Sequence, residues 1–182
     1  MLISFTLPAQ EKTIPRYSFN IGLGAEKVGI PFRKMFDLPV NSAYHIGIQR
    51  RWSLEPGKSG YQSLDMYFFS NYSAGLGNNI QTSCGSKFYL IKNLFISPFG
   101  GIGIIHLFRP KDSYFLEDGI YKLYNDKGII RPEAHIGMKV GHSAKKIDIF
   151  GSYQASVMYG YGKGVKLLPR TFLIIGMRYS IK

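Results

Sequence analysis

The sequence predicts an all-β protein, an eight-stranded antiparallel up-and-down transmembrane β-barrel. Two observations lead to this fold class. Apolar and polar residues alternate along nearly the whole chain after Arg16, and the connections between the alternating segments are long and short in turn. Composition agrees, because 182 residues with 13 Phe, 13 Tyr and 21 Gly match one domain and are too aromatic for a disordered chain. No apolar run reaches the roughly 18 residues of a membrane-spanning helix.

Eight strands are predicted from the period-two alternation. They span 16–24, 43–53, 61–72, 81–91, 94–108, 129–141, 146–159 and 169–182. Strands hold roughly half of the chain, a share that a closed barrel explains better than an ordinary globular domain. The connections number 18, 7, 8, 2, 20, 4 and 9 residues, so that every odd-numbered one is longer than every even-numbered one. This pattern places short turns at one end and long loops at the other, as in transmembrane barrels.

The two faces of the predicted strands differ in chemistry. In the sixth strand, Ile136 and Met138 share one face, and His135 and Lys139 share the other. The polar face carries many small residues, namely Gly22, Gly24, Gly47, Gly101, Gly103, Gly137, Gly141, Gly176, Ser18, Ser152 and Ser156. Small side chains suit the crowded interior of a narrow barrel. We therefore expect the polar face to line the lumen and the apolar face to contact lipid.

Charged residues on the polar face would then be buried in the lumen. The expected members of this polar network are Arg51, Asp65, Lys87, Glu133, His135, Lys139, Asp148 and Arg178. Buried charges need partners, so we expect ion pairs that fill the lumen instead of an open channel. Glu133 and His135 share a face, but the simpler interpretation pairs Glu133 with a lumen cation and leaves His135 to fill space.

Aromatic residues of the apolar face lie toward strand ends. They are Tyr17, Tyr44, Trp52, Tyr72, Tyr159 and Tyr179. Amphipathic rings collect at the two interfaces of a bilayer, which favours a membrane barrel. The alternative is a soluble, lipocalin-like barrel that binds a lipophilic ligand. It would turn the apolar face inward and leave a glycine-rich exterior unexplained.

The net charge of +12 raises the question of an anionic partner. The longest basic runs are the pairs Arg33-Lys34, Arg50-Arg51 and Lys145-Lys146. Nucleic-acid-binding proteins concentrate their charge in a stripe or a run. The dispersed charge of this chain therefore argues against nucleic acid and suits lipopolysaccharide phosphates or another acidic surface.

The first nine residues resemble the end of a secretory signal peptide. An apolar stretch leads to the small Ala9 and then to a polar start at Gln10, although the basic segment that opens such peptides is missing. We therefore expect a residual signal peptide at 1–9 and a single barrel domain at 10–182. An apolar N-terminus without a targeting role is the alternative.

A resemblance to a known family lies in three segments: 98–103 (PFGGIG) after a tight turn, 168–172 (LPRTF) and 176–179 (GMRY). They resemble the small, porin-like outer-membrane β-barrel proteins of the Bacteroidota. The resemblance implies a bacterial outer-membrane location, with outer-membrane lipid and lipopolysaccharide as immediate partners. Such barrels usually end in an aromatic or apolar residue, whereas this chain ends in Ile181-Lys182.

No catalytic, cofactor or metal site is predicted. The histidines are His45, His106, His135 and His142, and the lone cysteine is Cys84. No two of these histidines fall at metal-ligand spacing. Small outer-membrane barrels include lipid A deacylases, whose pattern has His and Ser two residues apart on a lipid-facing strand. The adjacent His142-Ser143 departs from that pattern, so a lipid-modifying enzyme is the third alternative. The glycine-rich segment 160–164 is expected to be an external loop, because no helix follows it to bind phosphate.

The two long loops are the remaining candidates for function. The loop 25–42 offers Phe32, Arg33, Lys34 and Phe36, and the loop 109–128 offers Tyr114, Phe115, Tyr121 and Tyr124. Aromatic and charged residues together suit contact with an extracellular protein or glycan. We therefore expect a non-enzymatic barrel with a structural or adhesive role at the cell surface. Loops shaped by lipopolysaccharide alone are the alternative.

Overall fold

The computed structural model describes residues 17–29, 41–52, 58–71, 75–91, 93–108, 113–117, 120–124, 128–162 and 165–181. The possible leader at 1–9 lies outside these ranges. Within them, no helix is long and apolar enough to cross a bilayer.

Ten strands account for almost all of the described chain. They are β1 (Tyr17–Val28), β2 (Asn41–Arg51), β3 (Lys58–Asn71), β4 (Gly75–Ile91), β5 (Leu94–Phe108), β6 (Ser113–Glu117), β7 (Ile120–Tyr124), β8 (Gly128–Ala144), β9 (Ile147–Gly162) and β10 (Val165–Ile181). Eight of them form a closed antiparallel barrel in the order β1-β2-β3-β4-β5-β8-β9-β10, with β10 paired back to β1. The predicted fold class is confirmed. The start of β1 at Tyr17 and the end of β10 at Ile181 both lie at the end of the barrel that carries the short turns.

The pairing register fixes the tilt and width of the barrel. One row of paired residues runs Ser18, Gln49, Ser63, Ser83, Gly101, His135, Ser156, Arg170 and back to β1 at Val28. The row thus returns ten residues beyond its start. For eight strands, this stagger corresponds to a tilt of roughly 40°. A barrel of this size is narrow enough for side chains from facing walls to meet.

Several predicted connections are wrong. β3 and β4 are separated only by 72–74, and β9 and β10 only by 163–164, whereas connections at 73–80 and 160–168 were expected. Residues 160–162, which were expected to belong to an external loop, therefore belong to β9. Glycines explain the error: Gly75 and Gly160 adopt φ of 89° and 76°, and a glycine-rich segment reads as a loop until its pairing partner is known.

These changes also remove the strict alternation of connection lengths. The connection 52–57 at the short-turn end is longer than 72–74 and 163–164 at the other end. The two long connections, 29–40 and 109–127, still lie at the same end, which we call the long-loop end. The first of them is shorter than predicted because β1 continues through Glu26 to Val28.

The long connection after β5 contains a β-hairpin, which the sequence interpretation missed. β6 and β7 pair antiparallel, from Ser113 opposite Tyr124 to Glu117 opposite Ile120. The intervening Asp118-Gly119 is a strong hairpin signal that could have revealed it.

The two faces of the barrel wall have the polarity of a membrane protein. Ile102, Ile136 and Ile175 lie on the outer face and are 66%, 71% and 67% exposed, whereas Arg170 and Arg178 point inward and are 1% and 0% exposed. Exposed aromatic residues lie toward both ends of the wall, among them Tyr17, Trp52 and Tyr179 at the short-turn end and Phe68, Phe108 and Tyr159 toward the long-loop end. This distribution suits a surrounding bilayer and is the reverse of what a soluble carrier of a lipophilic ligand requires. Tyr72, another expected interfacial ring, lies outside the described residues.

Cys84 offers a direct test of the outer face, since it is the lone cysteine of the chain and is exposed on β4. It shares the outer face with Ile80 and Phe88. In protein refolded into lipid vesicles, we expect a water-soluble maleimide to label Cys84 at least about tenfold more slowly than after boiling in SDS, because only the thiolate in water reacts. A Cys84→Ser/Lys145→Cys variant, with its thiol at a turn, is the control and should label quickly in both states. Rapid labelling of Cys84 in vesicles would show that this face contacts water.

Candidate functional site

At the short-turn end of the lumen, one carboxylate joins two cations. Lys87 Nζ donates to Asp148 Oδ2 at 2.7 Å, and Arg178 Nη1 donates to the same oxygen at 3.2 Å. Arg178 Nε also donates to Asn20 Oδ1 at 3.1 Å, and Lys87 donates to Ser143 at 2.9 Å. These residues come from β1, β4, β8, β9 and β10, so the cluster ties opposite walls of the barrel together.

The middle of the lumen holds a second group around Asp65. Its carboxylate contacts His45 Nε2 at 2.7 Å and accepts a hydrogen bond from Ser63 at 2.5 Å. Lys139 is buried nearby, with its ammonium 5.0 Å from the ring centroid of Phe99 and 5.4 Å from that of Phe150. Contacts with ring faces stabilise a desolvated ammonium without a direct ion pair.

Toward the long-loop end, a third group is built on Arg170. Its guanidinium donates to Glu26 at 2.9 and 3.0 Å and to Glu133 Oε2 at 3.4 Å. Glu133 also accepts a hydrogen bond from Asn79 at 2.6 Å. His135 is not part of this group and contacts Ser83 Oγ through Nε2 at 2.8 Å. Glu133 thus pairs with a lumen cation, whereas His135 has a hydrogen-bond partner of its own and does not merely fill space.

An apolar cluster closes the lumen beside Arg170. Its members are Ala43, Tyr67, Phe69, Ile105, Leu107, Met158, Phe172 and Ile174, all at most 3% exposed. The Arg170 guanidinium lies 4.2 Å from the ring centroid of Phe69, so the charged group and the apolar cluster pack together. The described residues therefore fill the lumen with side chains, as expected for eight strands.

The filled lumen makes a prediction about transport. Protein refolded into a planar bilayer at high KCl concentration should give no steady conductance above the protein-free baseline, because an ion would have to displace buried, paired side chains. Single-channel recording, with an established porin added afterwards to prove bilayer quality, is the measurement. Long-lived, uniform conductance steps from this protein would contradict a closed interior.

The structure places all eight residues of the expected polar network on the inward face. Seven of them are buried, and Arg51 is half-buried at the short-turn end. Sequence reasoning missed Arg170, Glu26 and His45 as members. Arg170 shares its face with Arg178, so strand parity could have revealed it, whereas Glu26 was assigned to a loop and its partner lies 144 residues away.

The expected loop residues are only partly described. Phe32, Arg33, Lys34 and Phe36 lie outside the described residues. The other four lie on the β6–β7 hairpin, where register places Tyr114, Leu116, Tyr121 and Leu123 on one face and Phe115, Lys122 and Tyr124 on the other. Two pairs of the ribbon thus combine a tyrosine with a leucine, Tyr114 with Leu123 and Tyr121 with Leu116.

The His–Ser spacing of the deacylase pattern does not occur among the described residues of the outer face. His106 and His142 lie on this face, but the residues two positions away are Ile104 and Phe108, and Val140 and Ala144. Neither histidine has the serine that the deacylase pattern requires. The described residues also contain no group of three or more His, Cys, Asp or Glu side chains that could hold a metal ion.

The chain is similar to known proteins in structure and not in sequence. No protein-family model matches the sequence, and no curated protein matches it significantly. The structure is similar to that of Neisserial surface protein A, NspA, with a TM-score of 0.61 over 91% of this chain and 97% of that chain at 11% identity. The fold is that of the eight-stranded outer-membrane β-barrels.

Two other solved structures differ from each other in activity. Ail, the attachment invasion locus protein of Yersinia pestis, gives a TM-score of 0.53 and 13% identity over 91% of this chain and 99% of that chain. The outer membrane enzyme PagL gives 0.52 and 11% over 90% and 99%. Ail has also been solved in complex with the heparin analogue sucrose octasulfate, with a TM-score of 0.51. At these identities the likeness concerns the fold alone.

Proposed function

We propose that this protein is a non-enzymatic barrel of the bacterial outer membrane that binds an extracellular protein or glycan through its long-loop end. The observation that carries the proposal is the β6–β7 hairpin, in which register pairs Tyr114 with Leu123 and Leu116 with Tyr121. Aromatic residues dominate recognition surfaces because they give a large contact area at small entropic cost. The barrel is then the anchor that holds the hairpin outside the membrane.

The interior supports a binding role over a transport role. Ion pairs and an apolar cluster fill the lumen, so the accessible surfaces of the described structure are the lipid-facing wall and the two ends. Of the two ends, the long-loop end has the connections 29–40 and 109–127, long enough to build a recognition surface. In this placement the start of β1 and the end of β10 face the periplasm, and lipopolysaccharide surrounds the base of the hairpin.

Two features of the sequence belong to the same proposal. The resemblance of segments 98–103, 168–172 and 176–179 favours a source among the Bacteroidota, and residues 1–9 suit the remainder of a signal peptide. A lipid-modifying activity like that of the fold neighbour PagL is disfavoured, because the described outer face carries no histidine with a serine two residues away.

The experiment is a binding assay on intact cells. Bacteria that produce the protein would be tested for adherence to heparin, fibronectin, laminin and collagen surfaces, beside cells in which 113–124 is replaced by a Gly-Ser linker. We expect at least about a tenfold loss of adherence, since truncating central aromatic anchors costs 2 kcal/mol or more each. Folding of both forms is checked by the change in gel migration on boiling, and their surface display by labelling intact cells with a membrane-impermeant amine reagent.

A matched pair of variants identifies the face responsible. Tyr114→Ser/Tyr121→Ser alters the apolar face, and Phe115→Ser/Tyr124→Ser alters the opposite face with the same kinds of change. The first pair should lose adherence and the second should retain most of it. Equal adherence of wild type and the linker form on every surface would contradict the proposed role of the hairpin.

A further inference from the structure

Arg50 breaks the polarity pattern of the barrel wall. It is an exposed cation on the outer face of β2, near the short-turn end, between the outward-facing Ile48 and Trp52 that flank it along the chain. Register places Tyr17 directly opposite it on β1 and Gln62 opposite it on β3. A charge on a lipid-facing wall is costly unless it meets a polar partner at the interface. We infer that Arg50 belongs to a binding site for the headgroup of an anionic phospholipid.

Trp52 and Gly60 complete the polar part of this site. Trp52 N donates to Gly60 O at 3.1 Å, which extends the β2–β3 pairing by one step. A Cβ at Gly60 would run into the indole, so the absence of a side chain there lets the ring of Trp52 lie over Gly60 on β3. Indoles held in this way are typical anchors at the level of lipid headgroups.

Lys58 supplies a second cation on the other side of the indole. It is exposed on β3, two residues before Gly60, with its ammonium 5.7 Å from the ring centroid of Phe88. Gln62 lies opposite Arg50, and along β3 it is four residues, or about 13 Å, from Lys58. With the further step of about 5 Å from β3 to β2, a phosphoglycerol headgroup between the two long side chains would bridge Arg50 and a Lys58 that leaves the Phe88 ring. Arg contributes a bidentate contact to phosphate and Lys a point charge.

A groove for an acyl chain begins one residue pair above Arg50. It has a volume of about 230 Å³ on the outer face of β1–β4. Its apolar lining consists of Phe19, Ile46, Ile48, Leu64, Met66 and Ile80. Ile48 and Leu64 form the pair next to Arg50 and Gln62, and Phe19 pairs with Ile48. The groove therefore runs from the cationic site toward the middle of the bilayer, where a chain attached to that headgroup must lie.

The charges around the site select an anionic lipid. Among described residues at the short-turn end, the exposed charges are Arg50, Lys58, Lys145 and Lys146, all positive. Asp148 is buried and already paired with Lys87 and Arg178. A basic surface at the headgroup level attracts anionic lipid by about 1 kcal/mol per cation, whereas a zwitterionic lipid brings its own ammonium to the same place. The site rests on the proposed placement of the short-turn end in the phospholipid leaflet.

Trp52 is the single tryptophan of the chain, so its fluorescence reports on this site alone. The full chain would be refolded into phosphatidylcholine vesicles containing a fixed fraction of brominated phosphatidylglycerol, or the same fraction of brominated phosphatidylcholine. Bromine on the acyl chains quenches a neighbouring indole. We expect phosphatidylglycerol to be enriched beside Trp52 by at least roughly fivefold over its bulk fraction, the factor that about 1 kcal/mol from one of the two cations alone would give.

Two charge-matched variants decide whether the site is local. Arg50→Gln/Lys58→Gln should reduce the enrichment to about onefold, and Lys145→Gln/Lys146→Gln, at another turn of the same end, should leave it unchanged. The proposal is overturned if wild type is quenched equally by both brominated lipids, if the first variant keeps its selectivity, or if both variants lose it equally. Heat-modifiability shows that each variant is folded. Because no hairpin ligand is involved, failure here is distinct from failure of the adhesion assay.

Discussion

Replacing Arg170 with methionine is expected to lower the free energy of unfolding by about 3–5 kcal/mol, the usual cost of removing one partner from a buried ion pair. Arg170 is 1% exposed and is the shared cation of Glu26 and Glu133. Methionine keeps most of the side-chain volume, so the loss reports on the charge and its hydrogen bonds. Urea titration in vesicles, followed by the fraction of protein in the fast-migrating unboiled band, is the measurement.

Lys166→Met is the matched control for Arg170→Met. Lys166 also lies on β10 near the long-loop end, but it is exposed. Its replacement should change the free energy of unfolding by no more than about 0.5 kcal/mol. If the two variants unfold at the same urea concentration, the buried group around Arg170 does not stabilise the barrel, and the description of the lumen is wrong.

A glycine-to-leucine substitution is expected to have a large effect on the stability of the barrel at an inward position and little effect at an outward one. Gly137→Leu should destabilise the barrel by about 3 kcal/mol or prevent refolding, since a filled interior resists added volume. A Cβ at Gly137 would already lie 2.5 Å from Phe99 Cζ and 2.6 Å from Tyr153 O. Displacing Phe99 would also disturb Lys139, whose ammonium packs on that ring.

Gly151→Leu is the comparison, because Gly151 is on the next strand and faces outward. A Cβ there meets nothing within 4 Å, and the residues paired with it are Val140 and Ile175 on the lipid-facing side. Leucine should be neutral or stabilise by about 0.5–1 kcal/mol, because glycine in a strand gives up packing and chain entropy. Refolding yield and urea midpoint in vesicles measure both variants. If Gly151→Leu lowers the refolding yield or the urea midpoint more than Gly137→Leu does, the assignment of the two faces is wrong.

The faces of the strands could be predicted from sequence because strand geometry is local. Side chains two residues apart lie on the same side of a strand, so the alternation of Ile136 and Met138 with His135 and Lys139 already separates the outer face from the lumen. The choice of which face is inside needed only the chemistry of the barrel interior. There glycine and serine fit and paired charges are tolerated.

The ends of the strands and the partners inside the lumen could not be predicted in the same way. Gly75 and Gly160 begin or interrupt strands that are held by their neighbours across the sheet, and no local signal distinguishes such a glycine from one in a loop. Arg170 and Glu26 meet because the register returns ten residues beyond its start, which brings Val28 opposite Arg170. That stagger is a property of the closed barrel and not of either strand. The hairpin differs, since Asp118-Gly119 was a readable local signal.

Heat-modifiability of the membrane-extracted protein tests the central claim, a closed transmembrane barrel with its apolar face in lipid, most directly. A closed barrel resists SDS until it is boiled and so stays compact on a gel. The account predicts that the protein sediments with membranes, migrates faster unboiled, and shifts to the slower position of the unfolded chain on boiling. Recovery in the soluble fraction, with identical migration before and after boiling, would contradict the account, because the exposed isoleucines of the outer face could then not be in contact with a bilayer.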